Sequence, residues 1–422
     1  MMSKIRLIML LAISLFLVSC QQMEREPYQS FFAEQRAKEP DSYQTAGKAI
    51  EIWTPEDVVT ATIEQFKHDY EEVDFNVVVF DNIDLVDQYY QALLTNDPPD
   101  IMIISAADAG AFSGIEGLET LNEPPYYDEV IFNQRPETVL NQYVNESGEM
   151  YGFPVHLFPY VTFYRHDILA EFGFPSDPED LAEYMSGVDQ YFDLISSLYD
   201  EGLYAFQSTQ SMLEWGLNSS YPFDENHQYL YQEPPFSDLL ETIIKIDEQE
   251  WDVFQSIWED SGYGSLKENR LVMFQAPSYV ANIIYNWFPE QGGNWRMTSL
   301  PLEMSGLDKG AGLIAMIPSQ SQEKRIAWDL IQLIADNLYN IHVHPNSHPM
   351  FDQTNINQFY LSEFDKPSLG RPSMLDQTAK LLWDNSIYQI NQGAKVDQIY
   401  FEQTHNQLLD QIRNNQRVLT DD

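Results

Sequence analysis

The chain has 422 residues, of which 44% are hydrophobic and 14% aromatic, so it can bury extensive cores and is not a disordered chain. Its 66 acidic and 22 basic residues give a formal net charge of −44. This charge argues against nucleic acid and anionic lipid surfaces as direct partners, because both are bound by Lys and Arg. The length also favours two domains or more.

The first residues have the pattern of a secretion signal. Lys4 and Arg6 precede an almost wholly apolar run over residues 7–18. This run is shorter than the roughly 20 apolar residues that a helix needs to span a bilayer. A basic start, a short apolar core and small residues before a break are typical of a cleaved signal. We therefore predict a signal peptide over residues 1–19.

The break is the sequence Leu17-Val18-Ser19-Cys20, and Cys20 is the only cysteine. This order of residue types resembles the lipobox of bacterial lipoproteins, in which the cysteine becomes the new N-terminus and carries the lipid. A plain signal peptide with a chance cysteine is the alternative. With Cys20 acylated, no thiol remains for a disulfide or a cysteine-based metal site. Residues 20–47 are then the lipidated N-terminus and a flexible tether.

The next part alternates strands with helices. The stretches "AIEIW", "FNVVVF" and "PDIMIIS" predict strands, and Thr54-Pro55-Glu56 predicts a helix start, with Thr as the cap and Pro in the first turn. The alternation indicates a parallel α/β sheet, whose ligands bind beyond the C-terminal ends of the strands. Apolar residues at helical spacing mark both intervening helices. These residues are Val59, Ile63, Phe66 and Tyr70 in the first helix, and Leu85, Tyr89 and Leu93 in the second.

Helices dominate the rest of the chain. Strands are predicted in "NRLVMFQA", "WRMTSLPL" and "GLIAMIP". No internal repeat and no second long apolar run is visible. The predicted helices span residues 168–172, 178–197, 212–217, 236–250 and 323–337, and the tail is predicted to be helical over 372–415.

Four stretches together resemble one family. They are "PDIMIISAADAGAFSGIEGLETLNE", "GEMYGFPVHLFPYVTFYRHDILAEFGF", "NRLVMFQAPSYVANI" and "GAGLIAMIPSQSQEKRIAWDLIQLIADN". In kind and order they are similar to the extracellular solute-binding proteins of bacterial ABC importers, in the carbohydrate-binding branch related to maltose-binding protein. The resemblance covers residues 48–415. The stretches "HVHPNSHPMF" and "SYPFDENHQYLYQEPPF" depart from the family pattern, which leaves the second-lobe contacts less defined.

The resemblance implies an α/β protein with the two-lobe fold of periplasmic binding proteins. Several crossing segments would form a hinge, and the ligand cleft would lie between the lobes. We expect a first lobe of residues 48–155 plus 310–345 and a second lobe of residues 156–309 plus 346–422. Crossings are expected near residues 152–159, 301–310 and 342–349.

Candidate ligand-binding residues follow from the chemistry of sugars. Sugars present apolar C–H faces that stack on aromatic rings, and hydroxyl groups that bond to carboxylates, amides and basic groups. His156, Phe158 and Tyr160 alternate along a predicted crossing, so their side chains share one face. The resemblance points to Tyr279, where relatives often hold a stacking Trp. The full set is Trp53, Glu56, Asp108, His156, Phe158, Tyr160, Trp215, Tyr279 and Trp383.

For each of these residues a structural role is the alternative. For Trp53 and Trp383 the alternative is a place in a core, and for Glu56 and Asp108 it is helix capping. Other motifs are weaker still. Three histidines in "HVHPNSHPMF" could ligate metal, and the Tyr89-Tyr90 and Tyr126-Tyr127 pairs resemble those that bind ferric iron in another binder branch, but their contexts favour packing. The many carboxylates guarantee chance pairs, so none of them indicates a glycosidase.

The function implied by the resemblance is capture of a carbohydrate, in particular an oligosaccharide, and its delivery to the membrane permease of an ABC importer. The partners would be the carbohydrate, the permease subunits and, through the lipid, the outer face of the cell membrane. We expect a monomer with no enzymatic activity and no cofactor. Three alternatives stay open: the same fold with a polyamine, amino-acid or phosphorylated ligand, a sensor subunit for a receptor kinase, and a surface glycosidase. An anionic ligand would require Arg165 or Arg296 in the cleft.

Overall fold

The computed structural model describes residues 49–420, except residues 69, 71, 81–84, 134, 252, 344–346 and 353–354. The predicted signal peptide, Cys20 and the tether lie outside the described residues. None of the described helices combines the length and apolarity needed to cross a membrane.

The strands form two sheets. β1 to β8 are Ile50–Thr54, Phe75–Val79, Ile101–Ser105, Phe153–His156, Tyr160–Arg165, Met273–Pro277, Trp295–Thr298 and Leu313–Met316. A five-stranded sheet has the order β2-β1-β3-β8-β4, and a three-stranded sheet has the order β6-β5-β7. β1, β2 and β3 are parallel, as the sequence predicts, whereas β8 runs antiparallel to its neighbours β3 and β4.

Helices cover both sheets. Along the chain, α1 to α15 are Thr60–Phe66, Leu85–Leu94, Glu129–Phe132, Glu137–Leu140, His166–Glu171, Pro178–Tyr184, Val188–Asp200, Thr209–Ser219, Phe236–Asp247, Asp260–Lys267, Val280–Trp287, Lys324–Val343, Ile356–Asp365, Asp376–Asn391 and Gln398–Thr420. Short 3₁₀ helices occupy Ala106–Phe112, Asn141–Tyr143 and Pro289–Gln291. The elements packed on the five-stranded sheet are called the first lobe, and those packed on the three-stranded sheet are called the second lobe.

The predicted start of the first helix is wrong. Thr54 is the last residue of β1, and its hydroxyl donates to the Glu56 carbonyl at 2.7 Å. α1 begins only at Thr60, whose backbone N–H and hydroxyl donate to the Asp57 carboxylate at 3.0 and 2.8 Å. Asp57 therefore supplies the acceptor that the prediction assigned to Thr54. The apolar stripe itself is buried as predicted, at Val59, Ile63, Phe66 and Tyr70.

Two predicted long helices are interrupted. The stretch 178–197 forms α6 and α7, separated at Gly187, where a Cβ would lie 2.5 Å from the Gln190 amide oxygen. The tail 372–415 forms α14 and α15, separated by a turn that contains Gly393, which has φ of 82°. Helical periodicity continues across both breaks, so the apolar pattern alone does not locate them.

Two segments that run between the sheets are bonded to each other. One joins β4 to β5, and the other leads from β7 to β8. The Asp308 N–H donates to the Phe158 carbonyl at 2.7 Å, and the Tyr160 N–H donates to the Gly306 carbonyl at 2.9 Å. Pro159 and Leu307 form an antiparallel bridge between these bonds. This short two-stranded ribbon, residues 158–160 with 306–308, is called the hinge ribbon. In the third predicted crossing, residues 344–346 lie outside the described part.

Candidate functional site

Aromatic rings and carboxylates from both lobes meet beside the hinge ribbon. The rings of Phe158 and Tyr279 are in edge contact, with centroids 4.9 Å apart and planes at 77°. Burial raises the pKa of the Tyr279 hydroxyl, and the nearby Asp308 and Glu56 carboxylates raise it further. Glu56 belongs to the first lobe and Tyr279 to the second, so this electrostatic interaction acts across the space between the lobes. The interlobe cluster, as it is called here, consists of Glu56, Phe158, Tyr160, Glu214, Tyr279 and Asp308.

Asp308 is the buried acid of this cluster. It is 5% exposed, and its carboxylate accepts the Gly310 N–H at 3.0 Å. Burial raises the pKa of Asp308 to about 6, although the N–H groups of Gly310 and Ala311 and the charge of Lys309 act in the opposite direction. Its backbone is fixed by the hinge ribbon. The carboxylate therefore has a set position at the junction of the two lobes.

The second-lobe side of the cluster comes from β5 and α8. Tyr160 begins β5 and pairs with Pro277 of β6. Burial raises the pKa of its hydroxyl, and so do Asp308, Tyr279 and Glu214, while a hydrogen bond with Asn218 lowers it. Glu214 accepts the Gln210 amide N–H at 2.6 Å, and burial raises its pKa. Glu214 and Tyr279 thus each lie near the buried Tyr160 hydroxyl.

The first-lobe side combines two loops that follow strands. Glu56 comes just after β1, is half-buried, and has a pKa raised by burial. Asp108 lies in the 3₁₀ helix after β3, where burial raises its pKa and Lys380 of α14 lowers it. The His156 ring lies 4.2 Å from the Phe158 ring, centroid to centroid. The structure therefore brings His156 to the cluster and places Asp108 opposite α14 instead.

Two of the predicted tryptophans pack within their lobes. Trp53 stacks on Tyr89 of α2, with centroids 5.9 Å apart, and its indole N–H donates to the Glu51 carboxylate at 2.7 Å. Trp215 is 3% exposed within the second-lobe core, and its indole nitrogen has no hydrogen-bond partner among the described residues. Its helix neighbour Glu214 reaches the interlobe cluster instead.

Trp383 lies in the core of the second lobe, outside the candidate site. It is 1% exposed, and its ring packs against Tyr231, Phe236 and His405 at centroid distances of 5.9, 5.8 and 5.5 Å. The ligand-binding prediction for Trp383 is thus corrected to a core role. Its position on the buried stripe of α14, between the exposed Leu381 and Asp384, is the physical reason.

Glu214, Asn218, Asp308 and Lys309 are not among the residues predicted from the sequence. Asp308 and Lys309 lie within the predicted crossing 301–310, so the prediction of a hinge there could have identified them as candidates. The Lys309 ammonium lies 4.6 Å from the centre of the Tyr221 ring, and the Tyr221 hydroxyl donates across the lobes to the Ala106 carbonyl at 3.0 Å. Glu214 and Asn218 carried no signal apart from their closeness to Trp215 in the sequence.

The described part of the histidine-rich stretch does not have the arrangement of a metal site. His348 uses both ring nitrogens, one with the Asn282 side chain at 3.1 Å and one with the Met350 N–H at 3.1 Å. Burial lowers its pKa to about 4. Across the described residues, no three His, Cys, Asp or Glu side chains come together in a way that could hold a metal ion.

A separate cavity of about 520 Å³ lies between the lobes. It is bounded by residues 113–118, 120, 144–147 and 149 on one side and by residues 224, 225, 227, 371, 372 and 374 on the other. A contact of 2.7 Å between His227 Nε2 and a Glu146 carboxylate oxygen spans it. Its described lining contains no Phe, Tyr or Trp, so it lacks the rings that stack on sugar faces. The interlobe cluster is therefore the better candidate site.

The raised pKa of Asp308 predicts a pH-dependent stability. Its carboxyl holds the proton more tightly in the folded state, with a pKa of about 6 against the ordinary 3.8. The protonated carboxyl therefore adds roughly 2–3 kcal/mol to the free energy of unfolding below about pH 4. This stabilisation is lost as the pH rises toward 6. Asp308→Asn, which keeps an oxygen for the Gly310 N–H, should remove this part of the pH dependence of the free energy of unfolding. Urea unfolding from pH 4 to 8 measures it.

The exposed Asp97→Asn variant is the matched control and should retain the slope of the natural chain. An unchanged pH dependence in Asp308→Asn would contradict the assignment of this slope to the buried carboxyl.

Solved structures show which fold this is. No protein-family model and no curated protein matches the sequence. The sugar-binding protein MalE from Xanthomonas citri is 15% identical, with a TM-score of 0.65 over 87% of this chain and 98% of that one. The lacto-N-biose complex of a binding protein from Bifidobacterium longum is 14% identical, with a TM-score of 0.63 over 88% and 98%. The maltose complex of an extracellular solute-binding protein from Staphylococcus aureus is 14% identical, with a TM-score of 0.62 over 90% and 100%. The chain therefore has the two-lobe fold of the extracellular solute-binding proteins of ABC transporters.

Proposed function

We propose that this protein is the substrate-binding component of an ABC importer and that it captures a carbohydrate outside the cytoplasm. The observation that carries the proposal is the interlobe cluster, in which the rings of Phe158 and Tyr279 lie beside carboxylates from both lobes. This is the combination that sugars require, with rings for the C–H faces and carboxylates for the hydroxyl groups. The neighbours in fold, which bind maltose and lacto-N-biose, support it.

The proposed mechanism involves binding and closure without covalent chemistry. A carbohydrate that contacts Glu56 on one lobe and Tyr279 on the other favours the state in which the lobes are close. The closed form then presents both lobes to the permease. A lipid on Cys20 would hold the protein at the outer face of the membrane and raise its effective concentration near that permease. The protein would work as a monomer.

The test is a thermal-shift screen of the purified protein with mono- and oligosaccharides, amino acids and polyamines. A ligand that binds only the folded state stabilises it by RT ln(1 + [L]/Kd), which is about 2.7 kcal/mol at a hundred times Kd. We expect a shift with an oligosaccharide and no release of sugar products. A shift restricted to amino acids or polyamines would contradict the carbohydrate assignment. Product release would instead favour a glycosidase.

A further inference from the structure

The lobes touch directly at Gly110, through residues that do not belong to the interlobe cluster. Gly110 lies in the 3₁₀ helix Ala106–Phe112 of the first lobe, and Ser373 lies just before α14 of the second lobe. A β-carbon built on Gly110 would lie 2.2 Å from the Ser373 carbonyl oxygen and 2.7 Å from both its carbonyl carbon and its amide nitrogen. The two backbones are therefore in contact, and only a residue without a side chain leaves room for this approach.

Both of these backbones are held by bonds within their own lobes. The Ser373 N–H donates to the Asp376 carboxylate at 2.9 Å, and the Ser373 carbonyl accepts the Asp376 N–H at 3.0 Å. On the other side, the Ala111 carbonyl accepts the Tyr90 hydroxyl at 2.6 Å, which ties the 3₁₀ helix to α2. Added volume at Gly110 is thus relieved by separation of the lobes more readily than by movement of either backbone.

A second buried contact joins the same two parts. The Tyr221 hydroxyl donates to the Ala106 carbonyl, at the start of the same 3₁₀ helix, at 3.0 Å, and the Tyr221 side chain is buried. The contact of His227 with Glu146 also joins the lobes, but both side chains are partly exposed, and exposed pairs contribute little. The buried contacts of Gly110 and Tyr221 therefore favour the close arrangement of the lobes by themselves.

The place of Gly110 in the sheet indicates the direction of its effect. β1 and β3 are parallel neighbours, and Glu56 follows β1 while the 3₁₀ helix with Gly110 follows β3. The C-terminal ends of parallel strands share one edge of the sheet, where ligands of such sheets bind. Gly110 thus lies at the same edge as Glu56, facing the second lobe. The contact at this edge forms when the lobes come together and is lost when they separate.

We propose that Gly110 and Ser373 form a closure latch, a contact between the lobes that stabilises the closed form before any ligand binds. The hydrogen bond from Tyr221 to Ala106 is the second part of this latch. The latch rests on the lobe movement of the proposed function but not on the carbohydrate assignment. It raises the fraction of molecules in the tighter-binding form, and the apparent Kd for the ligand falls in proportion. Affinity is thus set in part by residues that do not touch the ligand.

The experiment is small-angle X-ray scattering of the purified protein and its variants without ligand. Gly110→Ala should lower the ratio of closed to open molecules by about 5- to 150-fold, because its β-carbon overlaps the Ser373 backbone. The radius of gyration should rise from the natural protein to Gly110→Ala and again to Gly110→Val. Gly264→Ala is the matched control, since a β-carbon there meets no atom within 4 Å, and its radius should equal that of the natural protein. Thermal unfolding shows whether each variant is folded.

Tyr221→Phe tests the second part of the latch without added volume. It keeps the buried ring and removes only the hydroxyl that bonds to Ala106. Combined with Gly110→Ala, it should lower the ratio of closed to open molecules by a further factor of about three to ten. Should Gly110→Val fail to fold, this double variant carries the test.

The outcomes separate the latch from the proposed function. Equal radii of gyration in the natural protein, Gly110→Ala and Gly110→Val would overturn the latch, because the contact would then not govern closure in solution. A smaller radius in Gly110→Val would also overturn it, since the contact would then oppose closure. An equal increase in Gly264→Ala would show a general effect of added volume and overturn it as well. A screen in which no sugar binds would contradict the carbohydrate assignment and leave the latch in place.

Discussion

Tyr279→Ala is expected to weaken carbohydrate binding by about 30- to 1,000-fold, the range for removing a central aromatic contact of 2–4 kcal/mol. The variant loses the ring that contacts Phe158 and faces Glu56 from the opposite lobe. It removes both a stacking surface and part of the bridge between the lobes. The measurement is calorimetric titration with the sugar identified in the screen. Folding should be affected much less, since Tyr279 is only half-buried.

The conservative variant Tyr279→Phe separates the ring from the hydroxyl. It keeps the contact with Phe158 and should bind within about tenfold of the natural protein, because only a neutral hydrogen bond is removed. Binding that survives in Tyr279→Ala with near-natural affinity would place the ligand elsewhere. The 520 Å³ cavity beside the His227–Glu146 pair would then become the leading candidate.

Trp383→Ala should produce the opposite pattern, a large loss of stability with ligand affinity retained. Its indole is 1% exposed and packs against Tyr231, Phe236 and Phe401. Truncating a buried Trp leaves a cavity and lowers the free energy of unfolding by about 3–5 kcal/mol. The measurement is urea unfolding, together with calorimetry under conditions in which the variant is folded.

Leu381→Ala is the matched control for this variant. Leu381 lies two positions earlier on α14 but is 64% exposed, so its truncation should change the free energy of unfolding by less than about 0.5 kcal/mol. A Trp383→Ala protein that keeps its stability but loses the sugar would restore Trp383 to the ligand site and contradict its role in the core.

Much of the fold was predictable because its signals are local. β1, β2 and β3 are compact apolar runs, and the stripe of Val59, Ile63 and Phe66 has a period that only a helix satisfies. The boundaries were less predictable. The Thr60 N–H donates to Asp57, and not to Thr54, because β1 extends through Thr54 in its pairing with β2.

The candidate site could be predicted only where local sequence patterns indicate it. Phe158 and Tyr160 could be expected because they alternate along a crossing, and Tyr279 because it follows a strand in a recognisable stretch. Glu214 could not be expected, since a carboxylate on a helix is ordinarily solvated and only the packing of α8 against β6 brings it to Tyr160. The three predicted tryptophans could not be assigned from the sequence, because large aromatic residues suit cores and sugar sites equally well.

The hinge ribbon has a thermodynamic consequence for the proposed trap. Phe158 and Asp308 belong to the ribbon, whose two segments are bonded to each other and so stay together when the lobes separate. A ligand touching only these residues gains as much from the open form as from the closed one, and equal affinity shifts no equilibrium. The free energy that drives closure must come from residues whose separation changes, with Glu56 on one side and Tyr279 and Glu214 on the other. Affinity for the open form and the degree of closure are therefore set by different side chains and can be tuned separately.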